Sequence, residues 1–256
     1  MKMKKLVRAA GAGITAAVVA LSVTVSGIRS EAAPSYLKAA TYVSDAWVSN
    51  FWNSESDHMD EELAQIAADG FNSIVLVVPW REFQPGVLPV SYNRYAFQKL
   101  DKVMNAANAH GLMVELRVGY VWDYYNDDVV TGRFRDLLKD SSTRAAWLAY
   151  AKQIYRTASA HSNFYGGFMT WEDFWNYVED AANLGKGANS RNAAKECGYQ
   201  TWLKKHYSLK QVNEYYQPAE KFTSYDNVYI PARKDYAYKL FYEFYDDFLN
   251  DLLEDT

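Results

Sequence analysis

Two adjacent carboxylates, Glu172 and Asp173, stand in the aromatic stretch GGFMTWEDFWNY at residues 166–177. Carboxylates carry out acid–base and nucleophilic chemistry at glycosidic bonds. Aromatic rings present flat apolar faces with polar tips, which suits them to sugar rings. The stretch therefore indicates a carbohydrate site. The alternative is that these rings only pack in the core of a chain whose aromatic content is 16%.

Alternating strand and helix patterns surround this stretch and must position it. Continuous apolar runs such as NSIVLVVPW are typical of strands buried on both faces of a parallel sheet. Strands that alternate with long amphipathic helices predict a parallel α/β fold with right-handed crossovers. The predicted strands are 42–52, 72–80, 112–120 and 166–174, and the predicted helices are 56–71, 95–111, 142–161 and 236–253.

Aromatic and charged residues recur where these predicted strands end. In (β/α) barrels the functional side chains lie at the carboxyl ends of the strands. We therefore expect one site there, which includes the carboxylates Glu172 and Asp173. The expected substrate-binding residues are Trp52, Trp80, Arg81, Tyr120, Trp122, Asp123, Trp171 and Asp173.

The third predicted strand alternates apolar residues with Glu115 and Arg117. If its apolar set faces the helices, both charged side chains point to the opposite face, into a barrel interior. Two interpretations stay open: a functional pair, or a structural ion pair within the layer of the strand.

Several classes of chemistry are disfavoured by the composition. Cys197 is the one cysteine, so the chain has neither an internal disulfide nor a thiolate zinc site. The four histidines show no metal-ligand spacing, and there is no glycine-rich phosphate loop and no serine nucleophile elbow. We expect no metal and no cofactor.

Two long segments resemble a known enzyme family. IAADGFNSIVLVVPWREFQPG and FQKLDKVMNAANAHGLMVELRVG resemble the start of the clan of retaining glycoside hydrolases with a (β/α)8 barrel, which includes cellulases and β-galactosidases. YQTWLKKHYSLKQVNEYY and FTSYDNVYIP are similar to the insertion after strand four of the β-galactosidase-type members. The resemblance implies a TIM (β/α)8-barrel-type fold truncated to about the first four β/α units. It places the domain at residues 33–256 and the insertion at about 176–232.

The resemblance also implies roles. Glu172 matches the general acid/base of the clan, but Trp171 stands where the clan has an asparagine, which leaves recognition of the sugar 2-hydroxyl unassigned. The clan takes its nucleophile from strand seven, and the pattern up to Thr256 contains four units. We therefore expect a secreted retaining enzyme for β-linked oligo- or polysaccharides whose 256-residue chain alone is inactive. Self-association through open sheet edges is also expected. The alternatives are a non-catalytic carbohydrate-binding protein, or a half-barrel that needs a partner segment.

The first 32 residues form a separate leader in this interpretation. A basic start, an uncharged apolar stretch from Ala9 to Ile28 and the small residues of SEAAPSY predict a signal peptide and an extracytoplasmic location. An uncleaved membrane anchor is the alternative. The leader holds five basic residues and one acid, so its removal takes 27 basic and 31 acidic residues to 22 and 30. The resulting net charge of −8 argues against nucleic acid as a partner.

Cleavage of the leader can be measured directly. Mass spectrometry of the exported protein should find an N-terminus near Ala33 or Pro34, because the small residues before these positions suit signal peptidase. An exported protein that keeps Met1 would favour the membrane anchor, and retention in the cytoplasm would contradict export.

Overall fold

The structure, a computed structural model, describes residues 36–119, 132–169 and 190–256. Within these residues four parallel strands form one sheet, and two short antiparallel strands form a hairpin. The sheet order is β1, β2, β5 and β6. The strands in chain order are β1 (Ala39–Thr41), β2 (Ser73–Val78), β3 (Gly86–Val87), β4 (Val90–Ser91), β5 (Met113–Val118) and β6 (Phe164–Phe168).

Helices connect these strands and form the part after β6. Asn93 and Asp140 cap the two long connecting helices, each with side-chain oxygens that accept from backbone N–H groups of the first turn. A 3-10 turn covers Tyr225–Asn227. The described helices are α1 (Val48–Phe51), α2 (Met59–Ala68), α3 (Trp80–Phe83), α4 (Arg94–Ala109), α5 (Gly132–Lys139), α6 (Ser141–Ala158), α7 (Ser190–Glu196), α8 (Tyr199–His206), α9 (Leu209–Tyr216) and α10 (Tyr238–Asp255).

The order of the strands is that of a barrel-type sheet. Among the four described strands of the sheet, each new strand pairs with the preceding one and never returns to the other side of β1. Helix α4 contacts both α2 and α6, so the three crossover helices lie side by side. Doubly wound sheets reverse their strand order, whereas (β/α) barrels do not. The predicted α/β class, with four parallel strands of barrel type, is confirmed.

The two faces of the sheet differ in chemistry, as the alternation in β5 predicts. Val114, Leu116 and Val118 are buried in the core together with residues of the helices. Glu115 and Arg117 lie on the opposite face and are half-buried. Glu115 accepts a hydrogen bond from the Ser73 hydroxyl at 3.2 Å. The predicted direction of the two charged side chains, away from the helices, is confirmed.

The first predicted strand is wrong in position. The register with β2 covers Ala39–Thr41, the Tyr42 N–H still donates to the Val75 carbonyl at 3.1 Å, and Val48–Phe51 is helical. The alternation at 42–52 has another cause, because its aromatic residues anchor a loop on the core. Phe51 meets the Tyr42 ring edge-on at 5.6 Å, and the Trp52 indole N–H donates to the Val77 carbonyl at 2.8 Å.

The other boundaries differ by smaller amounts. Trp80 begins helix α3 instead of ending strand β2, and β6 begins at Phe164, two residues before its predicted start. Gly70 and Gly111 follow α2 and α4 with positive φ angles of 80° and 70°, which glycine adopts without steric cost. None of the described helices is both long enough and apolar enough to cross a membrane.

Candidate functional site

The carboxyl ends of three strands meet at one edge of the sheet. The register pairs Val78 of β2 with Val118 of β5, and Arg117 of β5 with Phe168 of β6. The chain therefore leaves all three strands at the same edge, where barrel proteins place their sites. The predicted site residues Tyr120, Trp122, Asp123, Trp171, Glu172 and Asp173 lie outside the described residues, and their roles stay predictions.

Trp52 and Trp80 lie in the core beneath this edge. Their side chains are 1% and 0% exposed. Trp52 packs edge-on against Phe83 at 4.6 Å. Trp80 meets Trp147 at 5.2 Å and donates its indole N–H to the Gln84 side chain at 2.7 Å. The sequence predicts sugar contacts for both indoles, but the structure gives them packing roles, and a sugar could reach them only if the covering side chains moved.

A buried lysine fixes the loop between α1 and α2 at this edge. The ammonium group of Lys99 on α4 donates to the Phe51 carbonyl, to the Ser54 carbonyl at 2.5 Å and to the Ser56 hydroxyl at 3.2 Å. It also lies 4.1 Å from the centre of the Phe51 ring. Burial lowers the pKa of Lys99. The three acceptors match the three N–H donors of the ammonium form and stabilise that form.

Glu82 extends this arrangement to the end of β2. Its side chain is 6% exposed, and its carboxylate accepts a hydrogen bond from the Asn53 amide. The Asn53 amide oxygen accepts in turn from Asn93 at 2.9 Å. Burial raises the pKa of Glu82, against the opposing effects of Asn53, Arg81 and Arg133. A chain of three polar side chains thus joins the loop after β1, the end of β2 and the start of α4.

Helix α5 closes the same region from the other side. Arg133 donates to the carbonyls of Gln84 at 2.8 Å and Pro85 at 2.5 Å, and its guanidinium lies 5.2 Å from the Trp80 ring centre. Burial lowers the pKa of Arg133 to about 10. Arg81, a predicted substrate contact, is half-buried and lies close enough to Arg133 and Glu82 to affect the pKa of both. Among the predicted contacts that the structure describes, only Arg81 keeps access to solvent.

Three exposed aromatic residues, absent from the predicted set, follow β1 and β2. Trp47 is 57% exposed, Tyr92 41% and Tyr95 39%. The Tyr95 hydroxyl donates to the Glu55 carboxylate at 2.5 Å. None of them follows the end of a predicted strand, because the short strand β4 before Tyr92 is not among the predicted strands. In the sequence, the two tyrosines on either side of the helix cap Asn93 could have indicated these exposed rings.

Other chemistry finds no support in the described part of the chain. Within residues 36–119, 132–169 and 190–256 there is no cluster of three or more His, Cys, Asp or Glu side chains that could hold a metal ion. Burial raises the pKa of the Cys197 thiol to about 12, so it stays protonated at neutral pH and is no nucleophile.

Comparison with known proteins finds similarity only among solved structures. No family model matches the chain, and no curated protein matches it. A GH5_18 variant from Bifidobacterium longum subsp. longum, in complex with Manb1-4GlcNAc, is 18% identical with a TM-score of 0.45, over 60% of this chain and 42% of that chain. An exo-beta-1,4-mannosidase from an Opitutaceae bacterium is 18% identical with a TM-score of 0.45, over 63% and 29%. GH5_18 from Streptomyces cattleya, in complex with GlcNAc, is 20% identical with a TM-score of 0.44, over 59% and 42%.

These three solved structures are glycoside hydrolases, and the chain spans less than half the length of each. TM-scores below 0.5 do not by themselves establish a common fold. The architecture described above depends instead on the strand order and registers of this chain.

The buried carboxyl of Glu82 makes stability depend on pH in a defined direction. A raised pKa in the folded state means that stability falls as pH rises above the ordinary value of 4.5, because the unfolded chain releases this proton first. A glutamine side chain cannot ionise. The stability of the Glu82→Gln variant relative to the parent should therefore be higher at pH 7 than at pH 4. Thermal unfolding of both proteins at the two pH values measures this difference.

The control is Glu220→Gln, which removes an exposed carboxylate on a loop. The difference in thermal stability between this variant and the parent should be the same at pH 4 and at pH 7. A Glu82→Gln variant that behaves like this control would contradict the assignment of a buried, pKa-raised carboxyl.

Proposed function

We propose that the chain supplies the first four β/α units of a retaining glycoside hydrolase that acts on β-linked oligo- or polysaccharides. The observation that carries the proposal is the convergence of three parallel strand ends at one edge. Aromatic, acidic and basic residues concentrate in the segments that follow these ends. The resemblance to the barrel-type glycoside hydrolase clan supports the same function.

Glu172 is the proposed proton donor to the leaving oxygen. It follows the end of β6 at Phe168 by four residues. A retaining enzyme needs a second carboxylate about 5 to 5.5 Å from the first. Glu82 does not suit that role, because it is buried and bonded to Asn53, and we assign it to positioning. The nucleophile is therefore proposed to come from a later strand, as in the clan, which leaves the 256-residue chain able to bind sugar but unable to hydrolyse it.

Substrate contact is proposed for aromatic rings that are open to solvent. Trp47, Tyr92 and Tyr95 offer exposed ring surface on the segments that follow β1 and β2. Sugar C–H faces pack on such rings, and the Tyr95 hydroxyl and the Glu55 carboxylate add polar partners beside them. Arg81 and the predicted residues of the segments after β5 and β6 complete the proposed contact set. The leader supports a proposed extracytoplasmic location.

The proposal is tested by binding and hydrolysis on the 256-residue chain. Calorimetric titration with β-1,4-linked gluco- and manno-oligosaccharides, and with Manβ1-4GlcNAc, should give saturable binding. The Trp47→Ala, Tyr92→Ala double variant should weaken this binding about three- to tenfold, in line with the loss of one or two ring contacts. Tyr36→Ala is the matched control, because Tyr36 is 75% exposed but precedes β1 at the opposite edge.

A panel of aryl β-glycosides provides the hydrolysis arm, and no turnover is expected from this chain alone. In a longer chain that carries the remaining strands, Glu172→Gln should reduce turnover at least about 100-fold on substrates with poor leaving groups, and much less on activated aryl glycosides. Turnover by the 256-residue chain that Glu172→Gln abolishes would show that a second carboxylate lies within it. Absence of binding to every β-linked ligand would overturn the proposal.

A further inference from the structure

A second cleft lies among the helices that follow the sheet edge. Residues of α5, α6, α7, α8 and α10 enclose a cavity of about 620 Å³. None of its lining residues belongs to the site at the carboxyl ends of the strands, the carboxyl edge, where Arg81, Glu82, Lys99 and Arg133 lie. Its volume is within the range of small-molecule sites and far exceeds what one inorganic anion needs.

Three lysines contribute positive charge to the lining of this cleft. Lys139, Lys195 and Lys205 line the cavity and are exposed. Among the described salt bridges, none involves these three ammonium groups, whereas Arg144 in the same lining is bonded to Asp255 at 2.6 Å.

Each lysine stands in the last turn of its helix, where the helix dipole alone favours a cation. The dipole accounts for each position singly. It does not account for three cations without a described salt bridge around one cavity, in a chain of net negative charge.

The lining of the cleft also offers acceptors and a flat ring surface. Asp247 accepts the Trp202 indole N–H at 2.8 Å, and Asp251 stands one turn further along α10. The His206 ring stacks on Trp202 at 4.7 Å with an interplanar angle of 17°. His206 is exposed, and both rings of this stack belong to the lining of the cleft.

We propose that this cleft binds an acidic sugar unit, a pyranose that carries a carboxylate. The lysines bind the carboxylate, the aspartates accept hydrogen bonds from the ring hydroxyls, and the His206–Trp202 stack supports the C–H face of the ring. A neutral sugar would leave the cations unpaired, and a simple oxyanion would leave the aspartates and the stack unused. The lining residues of this cleft differ from the residues named at the carboxyl edge, and the inference does not depend on the proposed glycosidase function.

Calorimetric titration of the 256-residue chain tests the inference with three probes. They are a galacturonate disaccharide, the neutral galactose disaccharide of the same linkage, and inorganic sulfate. The acidic disaccharide should bind saturably and weaken as salt rises from about 50 to about 500 mM, because salt screens exposed charges. The neutral disaccharide should bind at least tenfold more weakly.

Two double variants with the same charge change separate the cleft from general surface charge. Lys195→Gln with Lys205→Gln should weaken the acidic disaccharide at least tenfold. Lys152→Gln with Lys204→Gln removes two exposed lysines outside the cleft and should change the affinity less than twofold. Circular dichroism confirms that both variants keep the parent fold.

Three results would overturn the inference. The first is no binding of the acidic disaccharide. The second is sulfate binding of equal affinity that displaces it, which would mean an adventitious ion only. The third is an equal loss in both double variants, which would mean attraction by the overall surface charge.

Discussion

The buried ammonium group of Lys99 is the interaction on which the carboxyl edge of the sheet depends. Its donors satisfy two backbone carbonyls and one hydroxyl of a loop that lies more than 40 residues earlier in the chain. A buried carbonyl without a donor costs about 1–3 kcal/mol, so the loss of Lys99 would destabilise this conformation at the Phe51 carbonyl, whereas the Ser54 carbonyl would keep the Tyr95 hydroxyl as a donor at 3.4 Å. The cost of burying the cation is offset by these three acceptors and by the Phe51 ring beneath it.

The other contacts of the edge follow from the position of this loop. Once Phe51 and Ser54 are fixed, Trp52 reaches the Val77 carbonyl of β2, and Asn53 reaches both Glu82 and Asn93. Arg133 then closes the far side over Trp80. Side chains that act on a ligand need such a fixed support, because a small displacement weakens both binding and catalysis. The core tryptophans serve this support, and the exposed rings of Trp47, Tyr92 and Tyr95 remain for contact with ligand.

The sequence predicts the strands and helices of this structure better than the side-chain contacts at the carboxyl ends of the strands. The apolar run of β2 and the alternation of β5 are local patterns, and the structure confirms both strands. The residue pattern at 42–52 resembles that of a strand, because aromatic residues that anchor a loop on the core can alternate with polar residues as in a half-buried strand. Lys99 sits in a helix with an apolar face, where a lysine ordinarily points to solvent, and hydrogen bonds to carbonyls so far back in the chain leave no local pattern. Trp80 and Trp52 illustrate the same limit, since a strand-end position does not distinguish a ring that faces solvent from one that faces the core. The positions of Glu172 and its neighbours remain predictions.

Hydrogen exchange measured by mass spectrometry on the Lys99→Met variant tests the central role of this lysine most directly. Lys102→Met is the control, because Lys102 is a turn's distance away on the same helix but is 61% exposed. Lys99→Met should raise amide exchange at residues 50–58 at least tenfold, which corresponds to the loss of about 1.4 kcal/mol of local stability, while β2 and β5 stay protected. Lys102→Met removes only an exposed ion pair with Glu55 at 4.0 Å, which contributes little to stability, so exchange in both regions should change less than about twofold. Exchange at residues 50–58 that is the same in Lys99→Met as in the parent would contradict the account.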